Sequence, residues 1–432
     1  MSAVQETVAP TVTHRGRQLV AATVGQIVEW FDWYAYSILA VYFAGQFFPA
    51  SDASSMVPLL SALAVFAAGF LMRPVGGLVM GAVADRRGRK AALTLSITMM
   101  GAANLTIGLS PTYAQVGLLA PLLLVVARLV QGLSTGGELG AASVFLVESA
   151  PANRRGLFSS FIYIGAMTGN LAAIGTAAAL ASSLSDEAMS SWGWRVPFLM
   201  GALAGAVGLW IRRHAQETST VAEDIRSGRV RRPSPFEFLK AHPRESLQVI
   251  GITMAPAVLF YVWAVFLPTY AAISVGFDKT QALVVSSVSL VFFTLLQPIT
   301  GTISDKVGRK PTLIVFALGF VVGTVPMLNG LSSSVWSLLL IQCIGLALLS
   351  GWSSVSAAVM SELFPARVRA TGIGLPYNIA MAVFGGTGPY IATWLQSSGH
   401  GALFGWYLVA CAAVSLLTYL SLRETHGEPL PR

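Results

Sequence analysis

GAVADRRGRK at residues 81–90 returns as GTISDKVGRK at residues 301–310, with Gly, Asp, Gly, Arg and Lys in register. A second echo follows at nearly the same offset: ESAPANRR from Glu148 returns as ELFPARVR from Glu362, keeping the Glu, the Pro, the Ala and the final Arg. Two unrelated motifs recurring at one spacing mark a chain built from two related halves. Each copy is a basic segment between apolar runs, so the repeat unit is a helical bundle with its loops in water.

The composition fixes the solvent around those runs. Of 432 residues, 54% are hydrophobic and 11% charged, with mean hydropathy +0.68, against roughly 25% charged residues in ordinary soluble domains. About 20 mostly apolar residues span a bilayer, and twelve such runs are centred near Ala35, Phe70, Met100, Leu124, Ile164, Leu203, Val262, Val291, Phe316, Gly345, Ala382 and Val414. They are apolar all round, which a water-exposed helix is not. The expected fold is therefore an all-α polytopic membrane protein of two six-helix halves. Its predicted parts are an N-terminal tail (1–18), a first bundle (19–211), a linker (212–245), a second bundle (246–423) and a C-terminal tail (424–432).

The net charge of +8 is explained by placement rather than by a nucleic-acid partner. Basic residues such as Arg86, Arg89, Lys90, Arg154, Arg155, Arg231, Lys306, Arg309, Lys310, Arg367 and Arg369 fall in the termini or alternate loops. The opposite loops, including PASDASSM from Pro49, are nearly free of them. The positive-inside rule makes the basic side cytoplasmic, with both termini there. The polar start, MSAVQETVAPTVTHRGRQ, lacks the apolar core of a cleavable signal. Cys343 and Cys411 lie inside apolar runs, and His14, His214, His242, His400 and His426 lack metal-ligand spacing. Neither a metal, a cofactor nor a catalytic site is expected, so the chain is read as no enzyme.

Charges within the spans carry the chemistry. Glu29 and Asp32 in VEWFDWYAY, Arg73 in FLMRP, and Arg128 and Glu138 around QGLSTGGELG each cost about 2.5 to 3.5 kcal/mol at a helix centre. They must face a wet or paired interior. Glu29, Asp32 and Tyr36 form one stripe, as do Arg128, Gln131, Thr135 and Glu138. Residue counting sets Asp32 level with Arg128 in the outer half, and Glu29 with Arg73 and Glu138 a turn or more lower. Three carboxylates against two permanently charged arginines leave one acid to carry a proton. A substrate carboxylate competing for arginine would favour protonation of the displaced acid, coupling anion uptake to proton uptake. Static ion pairs are the alternative.

In the repeated loop, Asp85 is expected to accept from the amides opening the next helix, and Arg86, Arg89 and Lys90 to latch onto Glu148 and Glu362. The second copy supplies Asp305, Lys306, Arg309 and Lys310, and the second echo supplies Arg155 and Arg369 as further gate residues. The second half contains no comparable buried charge, only groups such as Tyr261, Trp352, Tyr377 and Asn378. These, with Tyr36, Tyr163 and Asn170, are the candidate pocket residues beside Arg73.

The pattern G-x-x-x-D-[RK]-x-G-[RK]-[RK], present in both copies, resembles the signature loop of the major facilitator superfamily, and RLVQG from Arg128 resembles its Arg-x-x-Gln-Gly motif. VEWFDWYAY, AGFLMRPVGG, QGLSTGGELG, WGWRVPF and FPARVRATGIG further resemble the metabolite:proton symporter family, most nearly its α-ketoglutarate permeases. That resemblance implies a bacterial inner-membrane monomer that moves a small dicarboxylate such as 2-oxoglutarate with a proton as coupling ion. It implies Asp32 opposite Arg128 as the coupling pair and Arg73 as substrate anchor. One departure is Phe161-Ile162-Tyr163, where those permeases have Phe-Gln-Tyr. Other members handle citrate, shikimate or proline and betaine, the osmolyte carriers typically adding a C-terminal coiled coil. A sensor that does not transport is the alternative of a different class.

Overall fold

Inside hydrocarbon only a helix or a closed barrel satisfies every backbone N–H and C=O, so twenty-residue apolar runs become helices. The computed structural model describes residues 12–49, 57–87, 89–214, 240–366, 368–385 and 387–431. Among the described residues the chain forms twelve helical spans and no strand. In the first half α1 is Val12–Phe47, α2 is Val57–Leu71 continued by Arg73–Arg87, and α3 is Arg89–Leu109. Then come α4, Leu119–Ser149, α5, Arg155–Ser183, and α6, Arg195–His214. In the second half α7 is Pro243–Tyr261, carried through a π-helical turn at Val262–Phe266 into Leu267–Val275. It is followed by α8, Lys279–Val307, α9, Arg309–Asn329, and α10, Val335–Ser353 with Ser356–Leu363. The span α11 joins Arg369–Ala380, a π-helical turn Met381–Gly385 and Gly388–Ser397, and α12 is Ala402–Ser421.

Eight of these stretches are long and apolar enough to cross a membrane by composition alone, in α2, α4, α5, α7, α8, α9, α10 and α12. The others are diluted for visible reasons: α1 carries Glu29 and Asp32 in its middle, and α11 is interrupted by Pro376 and the turn at Met381. Leu60, Leu203, Leu295, Val322 and Leu417 stand exposed on the outer surface, where acyl chains rather than water would meet them.

The halves repeat one packing plan. α1 lies on α5, α2 on α4 and α3 on α6, and in the same way α7 lies on α11, α8 on α10 and α9 on α12. The halves meet along α5 with α8 and along α11 with α2 and α4. Where α2 crosses α4, a Cβ on Gly132 or Gly136 would fall well inside contact distance of the Gly69 or Arg73 carbonyl oxygen. Glycine there lets the two backbones touch, as small residues do between membrane helices, and it fixes the point where Arg73 enters the protein. Most of the N-terminal tail and of the interbundle linker, 1–11 and 215–239, lies outside the described residues.

Candidate functional site

The stripe expected on α1 turns inward: Glu29, Asp32 and Tyr36 are all buried. Gln26 Nε2 donates to Glu29 at 3.3 Å, and the Tyr36 hydroxyl donates to the Ala62 carbonyl of α2 at 3.0 Å. Asp32 and Arg128 are buried on facing helices, yet no ion pair joins them among the described residues. Asn104 of α3 donates its Nδ2 to Asp32 Oδ2. Gln131 Nε2 donates to Asn104 Oδ1 at 2.8 Å, and Arg128 Nη1 donates to Gln131 Oε1 at 2.5 Å. The acid and the base are thus linked through two amides. Asn104 went unnoticed in the sequence; its only signal there is an amide within an apolar run.

Arg73 opens the second segment of α2 and is 2% exposed. Its guanidinium carbon lies 4.1 Å from the Phe70 ring centre, 4.4 Å from Trp33 and 5.5 Å from Trp30. Arg128 sits 3.8 Å from the Tyr36 ring centre and 4.7 Å from Trp33, so the two cations share Trp33, whose indole N–H donates to Thr135 at 3.0 Å. Aromatic faces hold a guanidinium without consuming its N–H donors. Accordingly Nε and Nη2 of Arg73, and Nε and Nη2 of Arg128, have no hydrogen-bond partner among the described residues.

Aromatic groups continue from Arg73 into the second half. Phe70 meets Tyr261 at 5.6 Å between ring centres, Tyr163 meets Phe260 at 5.8 Å, and Tyr163 meets Trp352 at 5.6 Å. Tyr377 lies beside Tyr163, and Tyr34, Tyr261 and Tyr377 lie within electrostatic reach of Arg73. The hydroxyls of Tyr34 and Tyr261 and the indole N–H of Trp352 are buried with no partner among the described residues. Tyr34 is a second residue that sequence reading passed over; it sits one turn after Trp30 in the quoted α1 stretch. Asn170 is buried on α5. Asn378 donates to the Gly136 and Gly374 carbonyls, each at 2.7 Å, and so ties α11 to α4.

The two echoed motifs meet on the basic-loop side. Arg369 Nη1 lies 2.6 Å from Glu148 Oε1, and Arg155 Nη1 lies 3.5 Å from Glu362 Oε1. Arg309 bridges Asp305 at 2.8 Å and Glu362 at 3.8 Å. Asp305 reaches across to the opposite half. Its carboxylate accepts from the amides of Gly156 and Leu157, both at 2.8 Å, capping α5 of the opposite half instead of the next helix. The amides opening α9 go to Glu424, from Arg309 at 3.0 Å and Lys310 at 2.9 Å. The C-terminal segment then runs over the gate: Thr425 donates to Glu362, Arg155 to the Glu428 carbonyl, and Arg369 to the Pro431 carbonyl. Lys310 Nζ donates to the Leu420 and Leu422 carbonyls, while Lys306 is exposed. The side chains of Asp85, Arg86, Arg89, Lys90 and Glu138 lie outside the described residues.

The family profile described as the Major Facilitator Superfamily matches residues 22–389 and 249–431. The chain is 38% identical over 409 residues to the alpha-ketoglutarate permease of Escherichia coli K12, covering 94% of this chain and 93% of that one. It is 36% identical to the inner membrane metabolite transport protein YhjE of the same strain, over 97% of this chain and 96% of that one. It is 30% identical to that strain's proline/betaine transporter, over 96% and 84%. The fold matches that of the proton:xylose symporter XylE with 6-bromo-6-deoxy-D-glucose bound, at TM-score 0.79 and 17% identity over 97% of this chain and 98% of that one. With relatives that are permeases and transporters rather than enzymes, the chain belongs to the Major Facilitator Superfamily and is a multi-pass membrane transporter of a small molecule.

Proposed function

We propose that this transporter carries a small organic carboxylate inward together with a proton, by alternating access between its two halves, and that 2-oxoglutarate is the compound to test first. The observation that carries this reading is Arg73. A buried cation whose Nε and Nη2 have no partner among the described residues, with the equally unpartnered hydroxyls of Tyr34 and Tyr261 within its electrostatic reach, offers a carboxylate the donors it needs. Across Trp33, Nε and Nη2 of Arg128 also lack partners among the described residues, which suits a substrate with a carboxylate at each end. Asp32 is the proposed proton carrier, with Arg128 as the cation coupled to it, and Glu29 and Glu138 as the remaining acids of the site.

A zwitterionic osmolyte is the second reading, supported by the proline/betaine relatives. Against it, Trp30, Trp33 and Phe70, the faces that would hold a quaternary ammonium, already carry Arg73. The proposed setting is the bacterial inner membrane, with both termini cytoplasmic because the basic loops all lie on one side, and the proposed unit is a monomer with no cofactor beyond the proton. The test is uptake of labelled 2-oxoglutarate, citrate, shikimate and proline into proteoliposomes with and without an inward proton gradient. The expected result is gradient-driven 2-oxoglutarate uptake that Asp32→Asn uncouples and Arg73→Ala abolishes. Uptake indifferent to the gradient would overturn symport; uptake of proline but of no acid would overturn the substrate class, and binding without uptake of any of the four would favour a sensor.

A further inference from the structure

Asn104 and Gln131 stand between the acid and the base of the site, and their hydrogen bonds run in one direction. We propose that these two amides are positioning residues that form a polarity-fixed relay, through which protonation of Asp32 releases Arg128. This rests on the reading of Asp32 as the coupling acid.

The direction follows from what each end is able to do. A guanidinium only donates, and an ionised carboxylate only accepts. Between them, Arg128 Nη1 donates to Gln131 Oε1, Gln131 Nε2 to Asn104 Oδ1, and Asn104 Nδ2 to Asp32 Oδ2. Each amide uses its oxygen on the arginine side and its nitrogen on the aspartate side, so every bond is made and none opposes another. A proton on Oδ2 occupies the place of the accepting lone pair. The clash is relieved by turning the Asn104 amide, which then points N–H at Gln131 and obliges that amide to turn as well. Gln131 would then present N–H to a guanidinium that has no acceptor, so the reversed chain fails at Arg128. A proton on Oδ1 acts more gently toward the same end. Oδ1 has no partner among the described residues, and Oδ2 becomes a neutral acceptor, which makes the Asn104 bond roughly half as strong.

A proton on Oδ2 breaks the relay at Arg128 and a proton on Oδ1 loosens it, so in both cases the ionised acid holds Arg128 Nη1 more firmly than the protonated acid does. Released, Nη1 joins Nε and Nη2, which already lack partners among the described residues, and the guanidinium presents a full edge to an incoming anion. The ionisable groups around Asp32 are Arg128 on α4, Arg73 on α2, and Glu29 and Tyr36 on its own helix. From α3 and α6 the neighbours are Asn104 and Gly201, and α5 meets α1 through Gly165 and Gly169. No second base is interposed among the described residues, so the amides provide the hydrogen-bonded route between the two charges.

The discriminating residue is Gln131, which makes no hydrogen bond to Asp32 among the described residues. The carboxylic C=O stretch of Asp32, identified by its loss in Asp32→Asn, is followed by difference infrared spectroscopy of purified, substrate-free protein as pH is varied. A relay predicts that Gln131→Met moves the Asp32 midpoint upward by about one unit, as Asn104→Leu does, because either change removes support for the ionised form. If Gln131→Met titrates within about 0.2 unit of wild type while Asn104→Leu shifts, the effect of Asn104 is local and the relay is overturned. Should Gln131→Met not be recovered folded, Gln131→Asn, one methylene shorter, withdraws the amide from Arg128 and carries the same prediction. Proton-driven 2-oxoglutarate uptake by Asp32→Asn is the separate control. If that variant still couples, the assignment of Asp32 as coupling acid fails even where the infrared relay stands.

Discussion

Arg369 of α11 holds Glu148 of α4 at 2.6 Å, and the same two motif positions exchanged between halves, Arg155 of α5 and Glu362 of α10, meet at 3.5 Å. Each copy of the second echo supplies the cation for the other copy's carboxylate. We propose that rocking of the halves breaks both pairs together, so that they act as a symmetric latch on the basic-loop side. Arg369→Ala is expected to shift the population toward the state open on that side by roughly tenfold, since losing a charged hydrogen bond is worth about 1.5 kcal/mol or more. The check is the distance between spin labels at Asn153→Cys and Lys306→Cys, both exposed sites, in a background lacking Cys343 and Cys411.

Arg73→Lys keeps the charge and removes the planar fork that lies against Phe70 and Trp33. With two directed N–H donors replaced by a point charge, KM for 2-oxoglutarate should rise by roughly 10- to 100-fold. Uptake kinetics in proteoliposomes measure it, and an unchanged KM would count against Arg73 as the anchor.

Gly201→Ala tests the confinement of Asp32. A Cβ there falls well inside contact distance of Asp32 Oδ1 and lies 2.8 Å from Asn104 Nδ2. Overpacking of this kind costs about 1–3 kcal/mol. Gradient-driven uptake should fall by roughly tenfold, and Gly201→Ser, larger still, should fall further.

Gly132→Ala forces α2 and α4 apart at Gly69. We expect a loss of about 1–3 kcal/mol in stability, read as a lowered Tm of the purified protein. Gly175→Ala, where an added Cβ meets nothing within 4 Å, should leave Tm unchanged.

Glu424 gives the C-terminal segment its pH dependence. Partial burial pushes its carboxyl up, but the amides of Arg309, Lys310, His426 and Thr425 outweigh that and hold it below the usual glutamate range. A lowered value means that its contribution is present above the ordinary glutamate range and is lost as pH falls through the depressed one. Carboxypeptidase release of the tail should therefore accelerate as pH falls below the ordinary glutamate range, and Glu424→Gln should be fast throughout.

The sequence carried much of this architecture openly. Charge-free runs, alternate basic loops and two in-register echoes are one-dimensional signals, and they correspond to twelve spans packed as two like halves. The burial of Glu29, Asp32, Arg73 and Arg128 was legible for the same reason, since a charge inside hydrocarbon must face inward. Residue counting could set Asp32 level with Arg128, but the route between them depends on α3, whose Asn104 has no periodic neighbour to advertise it. That Asp305 caps α5 is not legible in its motif, which sits next to α9 while the amides belong to a helix nearly 150 residues away along the chain. Helix-end partners of that kind are set by how the halves dock and leave no mark in local spacing.

The tail has a consequence for how the molecule can be observed. Glu428 and Pro431 are held by arginines from opposite halves, Arg155 and Arg369, while Thr425 and Glu424 fasten the same segment to α10 and α9. The segment is therefore tied to both halves while those ion pairs are formed, and parting of the halves has to break at least one of its attachments. A fluorophore carried on this segment, near Glu428, is therefore expected to register, or to disturb, the equilibrium between the two facings of the transporter.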